Sequence, residues 1–372
     1  MKVHFITRHA PANYGSLLQT IAMQKVINDL GYENEVIDYI PKEESLFRLP
    51  LTQARMKKEL DSNILKKCIY ILISEIENIF MYRKFLKMRK QFLKMGPRCR
   101  NALELKNIYK NNSEDIFITG SDQVWGPIAT GTFDSAYFLD FAPAESRKLA
   151  FASSFGKSEF DEETISDYKN YLSQYDKLAV REKVAVDILD TMGLSAQQVL
   201  DPTLLLTRNQ WEKFLHSIKK PEKYVLIYQI HKNSEMDIYA EKFAKKKNLP
   251  LIRVSSLLHQ KTRTGKFIYL PDFGEFLDLI KNATYLVTDS FHGTVFALTF
   301  NVQFIELLPN TGTSSRNLNL LELTNLTDRI VKDLNRFDYA DKQIDFTFAN
   351  DSINKKREES IKILSNFMKN KG

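Results

Sequence analysis

Cysteine is nearly absent: Cys68 and Cys99 are the only two in 372 residues, and their separation matches no metal-ligand spacing. No signal peptide precedes the first strand pattern, at residues 2–7, so a reducing cytoplasm is the expected location. Long hydrophobic runs are missing as well. The stretch at residues 68–73 falls far short of the roughly 20 residues a bilayer requires, so no spanning helix is expected. The chain also lacks G-x-G-x-x-G, which removes the dinucleotide-binding fingerprint. It spells out no metal cluster and no Cys/His nucleophile pair, and no cofactor is expected. One stretch lacks acidic residues altogether. Between Arg83 and Arg100 the charged residues are all basic: Arg83, Lys84, Lys87, Arg89, Lys90, Lys94, Arg98 and Arg100.

What is present describes a folded protein of two domains. Hydrophobic residues make up 43% and charged residues 27%, with Phe and Tyr spread along the chain, which argues against disorder. The length exceeds one ordinary domain. Net charge is +7 and the isoelectric point near 9.0. The basic stretch reads either as a solvated helix face or as a surface for an anionic partner, namely lipid headgroups or a phosphorylated substrate. Nucleic acid is not expected, because no nucleic-acid motif accompanies the charge.

Taken in order, the chain alternates strands and helices twice. Residues 2–7 read as a strand, 16–30 as a helix stopped by Gly31, and 35–39 as a second strand, which opens the chain with a βαβ unit. Residues 42–106 read as a helical insertion, with helices at 64–80 and 81–95, and its apolar residues are expected to pack on the sheet. Strands resume at 115–119, 149–153 and 177–180. After residue 206 a second series begins with the near-continuous apolar run at 224–231 and continues through strands at 251–254, 284–288 and 302–307. The expected fold is α/β: two doubly wound Rossmann-like domains facing a cleft, residues 1–206 and 207–335. A tail at 336–372 would return its helix to the first domain.

Ligands of open α/β sheets bind at the carboxyl ends of the strands. Asn13, Asp122, Ser154 and Arg181 fall there in the first half, and Asp289, Ser290, His292, Gly293 and Thr294 in the second, with Arg316 opening a later helix. The turn from residue 289 to 294 passes from a strand into a helix, where free N–H groups and the helix dipole favour an anion beside a proton-transfer group. Each residue has a plainer reading: Asp289 as a helix cap, Arg181 with Glu182 as a surface ion pair, His292 as a satisfied polar residue. The other histidines carry no interpretable spacing.

At these positions the chain resembles the polysaccharide pyruvyltransferase family. The resemblance rests on Asn13-Tyr14-Gly15-Ser16-Leu17-Leu18-Gln19, Gly120-Ser121-Asp122-Gln123-Val124-Trp125, Ser153-Ser154-Phe155-Gly156, Val180-Arg181-Glu182, Leu200-Asp201-Pro202-Thr203, Asp289-Ser290-Phe291-His292-Gly293-Thr294 and Ser315-Arg316, in family order. It implies a GT-B-like fold and transfer of the enolpyruvyl group of phosphoenolpyruvate onto two hydroxyls of a glycan sugar, forming a pyruvate ketal in surface polysaccharide synthesis. By the same resemblance His292 lies beside phosphoenolpyruvate; its near-neutral unperturbed pKa makes it the expected general acid or base, and Asp289 could orient its ring. Arg181, Ser290, Gly293 and Thr294 hold phosphoenolpyruvate. Some relatives carry an arginine where this chain has Ser290, and Arg316 is the candidate replacement. Asn13, Asp122 and Ser154 are assigned to the acceptor, which could be lipid-linked and met at the inner face of the cell membrane. The alternatives are a nucleotide-sugar glycosyltransferase of the same architecture and a non-catalytic glycan-binding or assembly protein.

Overall fold

The structure, a computed structural model, describes residues 1–56, 64–157, 159–308 and 314–369. The sequence-predicted loop of Pro309, Asn310, Thr311, Gly312 and Thr313 lies outside these residues. By its contacts the chain divides into two compact units, Met1–Pro202 with Glu359–Gly372, and Thr203–Glu358.

The first unit runs β1 (Val3–Ile6), α1 (Tyr14–Asp29), β2 (Asn34–Val36), α2 (Leu49–Met56), α3 (Ile64–Phe92), α4 (Ala102–Tyr109), β3 (Ile116–Thr119), β4 (Arg147–Ser153), α5 (Glu162–Leu172), β5 (Lys177–Val180), α6 (Lys183–Thr191) and β6 (Ala196–Gln198). Its strands are all parallel, in the order β2-β1-β3-β4-β5-β6. Parallel neighbours require crossovers that cover both faces, and β1 and β3 are accordingly buried at every residue. Val3 pairs with Asn34 on one side and Ile116 on the other, so the direction of winding reverses between β1 and β3. The loops leaving those two strands diverge there.

The second unit holds α7 (Pro202–Leu205, shared at its first residue with the first unit), α8 (Arg208–Glu212), β7 (Val225–Tyr228), α9 (Ser234–Lys246), β8 (Leu251–Ser255), β9 (Lys266–Tyr269), α10 (Phe273–Lys281), β10 (Tyr285–Thr288), α11 (Phe291–Phe300), β11 (Phe304–Glu306), α12 (Ser314–Leu323) and most of α13 (Thr347–Lys369). Its parallel order is β11-β10-β7-β8-β9. Winding reverses here between β7 and β10, where Leu286 pairs with Leu226. The residues of α13 from Glu359 onward belong to the first unit, in which the guanidinium of Arg147 donates to the carbonyls of Phe367 and Met368 at that helix's end.

Two expectations for the insertion need correction. Instead of two helices meeting near Phe80, one helix of 29 residues runs through, because neither Gly nor Pro interrupts the stretch. Nor do its apolar residues all pack inward. Met81, Phe85 and Met88 are buried, Phe85 lying 5.3 Å from the ring of Tyr14 on α1, while Leu65, Leu72, Ile73, Ile76 and Phe80 are exposed. No helix among the described residues is long and apolar enough to cross a membrane.

Candidate active site

In the second unit the site grows out of the β7/β10 reversal. Thr288, the last residue of β10, donates its hydroxyl to the carbonyl of Tyr228 on β7 (2.8 Å) and accepts from the backbone N–H of Ser290 (3.0 Å), which fixes the chain's exit from the sheet. Ser290 caps α11, its Oγ accepting from the N–H of Gly293 at 3.3 Å. His292 therefore sits buried in the first turn of a ten-residue helix. The N–H groups and positive dipole end of that turn favour negative charge. Arg316, on α12, places its guanidinium carbon 5.9 Å from the centre of the Phe291 ring, so the first residue of α11 and this arginine are neighbours.

Asp289 does not orient the ring of His292. Its Oδ1 accepts from the N–H of Ile230 (2.7 Å), and its Oδ2 from the N–H of His231 (2.9 Å) with the same histidine's Nδ1 3.2 Å away. The carboxylate thus ties the end of β10 to the loop leaving β7. His231, to which the sequence assigns no role, is the histidine that this aspartate holds. Asp289→Ala would leave two backbone donors without this acceptor and is expected to lower unfolding free energy by about 2–4 kcal/mol, measured by urea titration.

Gly293 and Thr294 support the turn. A Cβ on Gly293 would come 2.5 Å from Thr288 Oγ1 and 3.2 Å from the Tyr228 ring, and the Thr288 hydroxyl is already held by two hydrogen bonds. Gly293→Ala should therefore cost about 1–3 kcal/mol by overpacking, read as a drop in the unfolding midpoint. Thr294 is fully buried and donates its hydroxyl to Glu306 on β11. Asn317, next to Arg316, donates to the other oxygen of the same carboxyl. Burial, reinforced by the charge of Asp289, pushes the Glu306 carboxyl up to about 8 against the hydrogen bonds from Thr294 and Asn317. Sequence reasoning passed over Glu306, although a lone carboxylate inside the apolar run at residues 302–307 is the mark of a buried polar junction.

In the first unit the expected residues gather at the β1/β3 reversal. Asn13 caps α1, its side chain accepting from the N–H groups of Gly15 (2.7 Å) and Ser16 (3.3 Å). Ser16 Oγ donates to Asp122 Oδ2 at 2.7 Å, which joins the α1 turn to the loop after β3. Asp122 itself has φ of 75°, a left-handed conformation that aspartate tolerates. Ser154 is buried, and its Oγ accepts from the N–H of Gly156 at 3.1 Å.

Arg181 is no surface pair. It is buried, donating from Nε to Glu182 (2.9 Å) and from NH1 to Asp201 (2.8 Å), and Asp201 also accepts from Ser121 Oγ at 3.0 Å. Burial opposes its charge, but Glu182, Asp201 and Asp122 together hold the guanidinium above its ordinary value, so it stays cationic. Asp201 is the residue the sequence reading left without a role, and it is the one that links Arg181 to the β3 loop.

The structure forms two hydrogen-bonded groups at the carboxyl ends of the first sheet, Asn13 with Ser16 and Asp122, and Arg181 with Asp201 and Ser121, joined through the neighbouring residues Ser121 and Asp122. It brings Asp289, Ser290, His292, Glu306 and Arg316 together at those of the second.

Similarity to solved structures extends over the whole chain at low identity. Trehalose-6-phosphate synthase OtsA matches with a TM-score of 0.57 at 10% identity, covering 100% of both chains. The UDP co-structure of S. aureus MnaA matches with a TM-score of 0.54 at 13% identity, covering 99% of this chain and 96% of that one. These likenesses are of fold, and the fold is GT-B-like: α/β, with two parallel-sheet Rossmann-like units. No curated protein matches the sequence. The model of the polysaccharide pyruvyl transferase family matches residues 13–310, from the cap of α1 to just beyond β11, and the chain belongs to that family.

Proposed function

We propose that the protein transfers the enolpyruvyl group of phosphoenolpyruvate onto two hydroxyls of a glycan sugar. The observation that carries this reading is the α11 turn: His292 in the first turn of a helix and Arg316 against Phe291 beside it, in a chain of this family. Such a turn suits a doubly anionic donor, with a helix N-terminus for one group and an arginine fork for the other. Ser290 and Arg316 are the donor-holding residues in this scheme. Asn13, Asp122 and Ser154 serve the acceptor.

His292 delivers a proton to the methylene carbon of phosphoenolpyruvate, which becomes the methyl group of the product. The adjacent carbon gains oxocarbenium character, and the first sugar hydroxyl adds to it. The carbon–oxygen bond to phosphate then breaks with its electron pair leaving on phosphate, and the second hydroxyl closes the ketal. Two hydroxyl protons are released; one restores His292 and one leaves with phosphate. General acid–base help of this kind is worth about a hundred- to ten-thousandfold. No cofactor is required. The acceptor is a surface-polysaccharide sugar, lipid-linked in the fuller form of the proposal, in which the enzyme works as a peripheral protein at the inner face of the cell membrane.

The test is incubation with labelled phosphoenolpyruvate and lipid-linked galactose or mannosamine acceptors. Phosphate release that requires acceptor, with label appearing in the glycan, is the expected result. Turnover of a UDP-sugar without phosphoenolpyruvate would replace this reading by a glycosyltransferase. Glycan binding without turnover of either donor would replace it by a binding protein.

A further inference from the structure

The long helix of the first unit shows two different sides. Met81, Phe85, Met88 and Arg89 are buried, and the guanidinium of Arg89 donates to the carbonyls of His9 and Ala10 in the loop that leads to Asn13. The helix is thus anchored by its last third. Its outer side is a single stripe. Leu65, Leu72, Ile76, Phe80, Arg83, Lys87 and Lys90 follow one another at intervals of seven, four, four, three, four and three, which at 3.6 residues per turn places them along one line, with Ile73 at its margin. All are exposed: Leu65 at 70%, Leu72 at 61%, Phe80 at 58%, and the three basic residues with them. The only acidic residues of the helix, Glu75 and Glu77, fall off this line. So the stripe is aliphatic and aromatic up to Phe80 and purely cationic beyond it.

We propose that this stripe docks the protein on an anionic lipid bilayer, its Leu65-to-Phe80 part entering the acyl boundary and Arg83, Lys87 and Lys90 pairing with headgroup phosphates. Water is a poor partner for so continuous an apolar line. A second copy of the chain suits it no better. Parallel self-pairing would set the three cations against their own copies, and antiparallel pairing would press them on leucine and isoleucine. A surface that is apolar inside and negative at its rim satisfies both parts at once, which is how amphipathic helices bind membranes in plane. The basic run continues past the stripe through Lys94, Arg98 and Arg100. Docking of this kind does not depend on which group the enzyme transfers, so vesicle binding and turnover can fail separately.

The full chain is to be floated with vesicles of phosphatidylcholine alone and with vesicles containing about one-third phosphatidylglycerol, over a range of salt. Binding to the anionic vesicles that weakens with salt is expected. Combined Leu72→Ser, Ile76→Ser and Phe80→Ser should lower the bound-to-free ratio about tenfold or more at every salt concentration. Combined Lys87→Glu and Lys90→Glu should remove most of the salt-dependent part. Insertion itself is read with Leu72→Trp, whose emission should move to shorter wavelength on adding anionic vesicles. The two native tryptophans, Trp125 and Trp211, are fully buried in their units and serve as a constant background. The proposal is overturned if the wild-type chain does not float with anionic vesicles, or if it floats while the serine variant binds equally well and the Leu72→Trp emission does not move. It is also overturned if the wild-type chain is a dimer that the serine substitutions convert to a monomer, for the stripe would then be an interface between copies.

Discussion

Replacing His292 by alanine is expected to lower acceptor-dependent phosphate release by about a hundred- to ten-thousandfold, with the loss in kcat rather than in the KM for phosphoenolpyruvate. In the proposed reaction a proton must reach the methylene carbon before a hydroxyl can add, and His292 is the residue of the α11 turn whose side chain can carry one. The residue is buried, so alanine also removes packing, and unfolding of the variant by urea separates that loss from the catalytic one. His231→Ala is the necessary companion. Asp289 is hydrogen-bonded to His231, so this aspartate-paired imidazole in the loop after β7 is a second group able to move a proton. If His292→Ala retains near-wild-type turnover while His231→Ala loses it, the chemistry belongs to the His231–Asp289 pair and the assignment of His292 fails.

The second large effect is on stability and has a defined pH window. Glu306→Gln is expected to abolish a decline in stability that the wild-type protein shows between about pH 4.5 and 8. In the folded chain the Glu306 carboxyl is pushed up to about 8, chiefly by burial, from an ordinary value of 4.5. Between those limits the folded state keeps a proton that the unfolded chain has released, so the stability present at low pH falls as pH rises, by at most about 5 kcal/mol. Glutamine has the same shape, is neutral throughout and can still meet Thr294 and Asn317. Urea titrations at pH 4, 6.5 and 8.5 should show the variant equal to wild type in acid and increasingly more stable as pH rises. A variant less stable at every pH would mean that Glu306 folds as a carboxylate. The neutral form also matters to the proposed site: an ionised Glu306 would set a second negative charge near Asp289, under the turn proposed to hold the donor.

Both predictions concern a turn whose local form was readable in advance. The strand pattern ending at Thr288 and the polar break after it announce a strand followed by a helix, and these appear as β10 and α11; the cap is Ser290 rather than Asp289. For α3 the lack of Gly and Pro between Ile64 and Phe92 is equally visible in the sequence, and the composition shifts from apolar to basic near Phe80. That shift runs along the exposed stripe of one unbroken helix.

What the sequence determined by itself is therefore what a few neighbouring residues can encode: the alternation of strands and helices, the basic run from Arg83, and the ordered segments that mark the family. Tertiary structure alone decided that β7 lies beside β10, so that Asp289 takes the N–H groups of Ile230 and His231 rather than the ring of His292. It alone decided that Arg181 is enclosed with Glu182 and Asp201, that Glu306 is buried, and that α3 turns leucines outward. The reason is range. Periodicity and capping depend on contacts within about one helical turn. Strand order, ion-pair partners and the covered side of a helix depend on segments that meet only when the chain is folded.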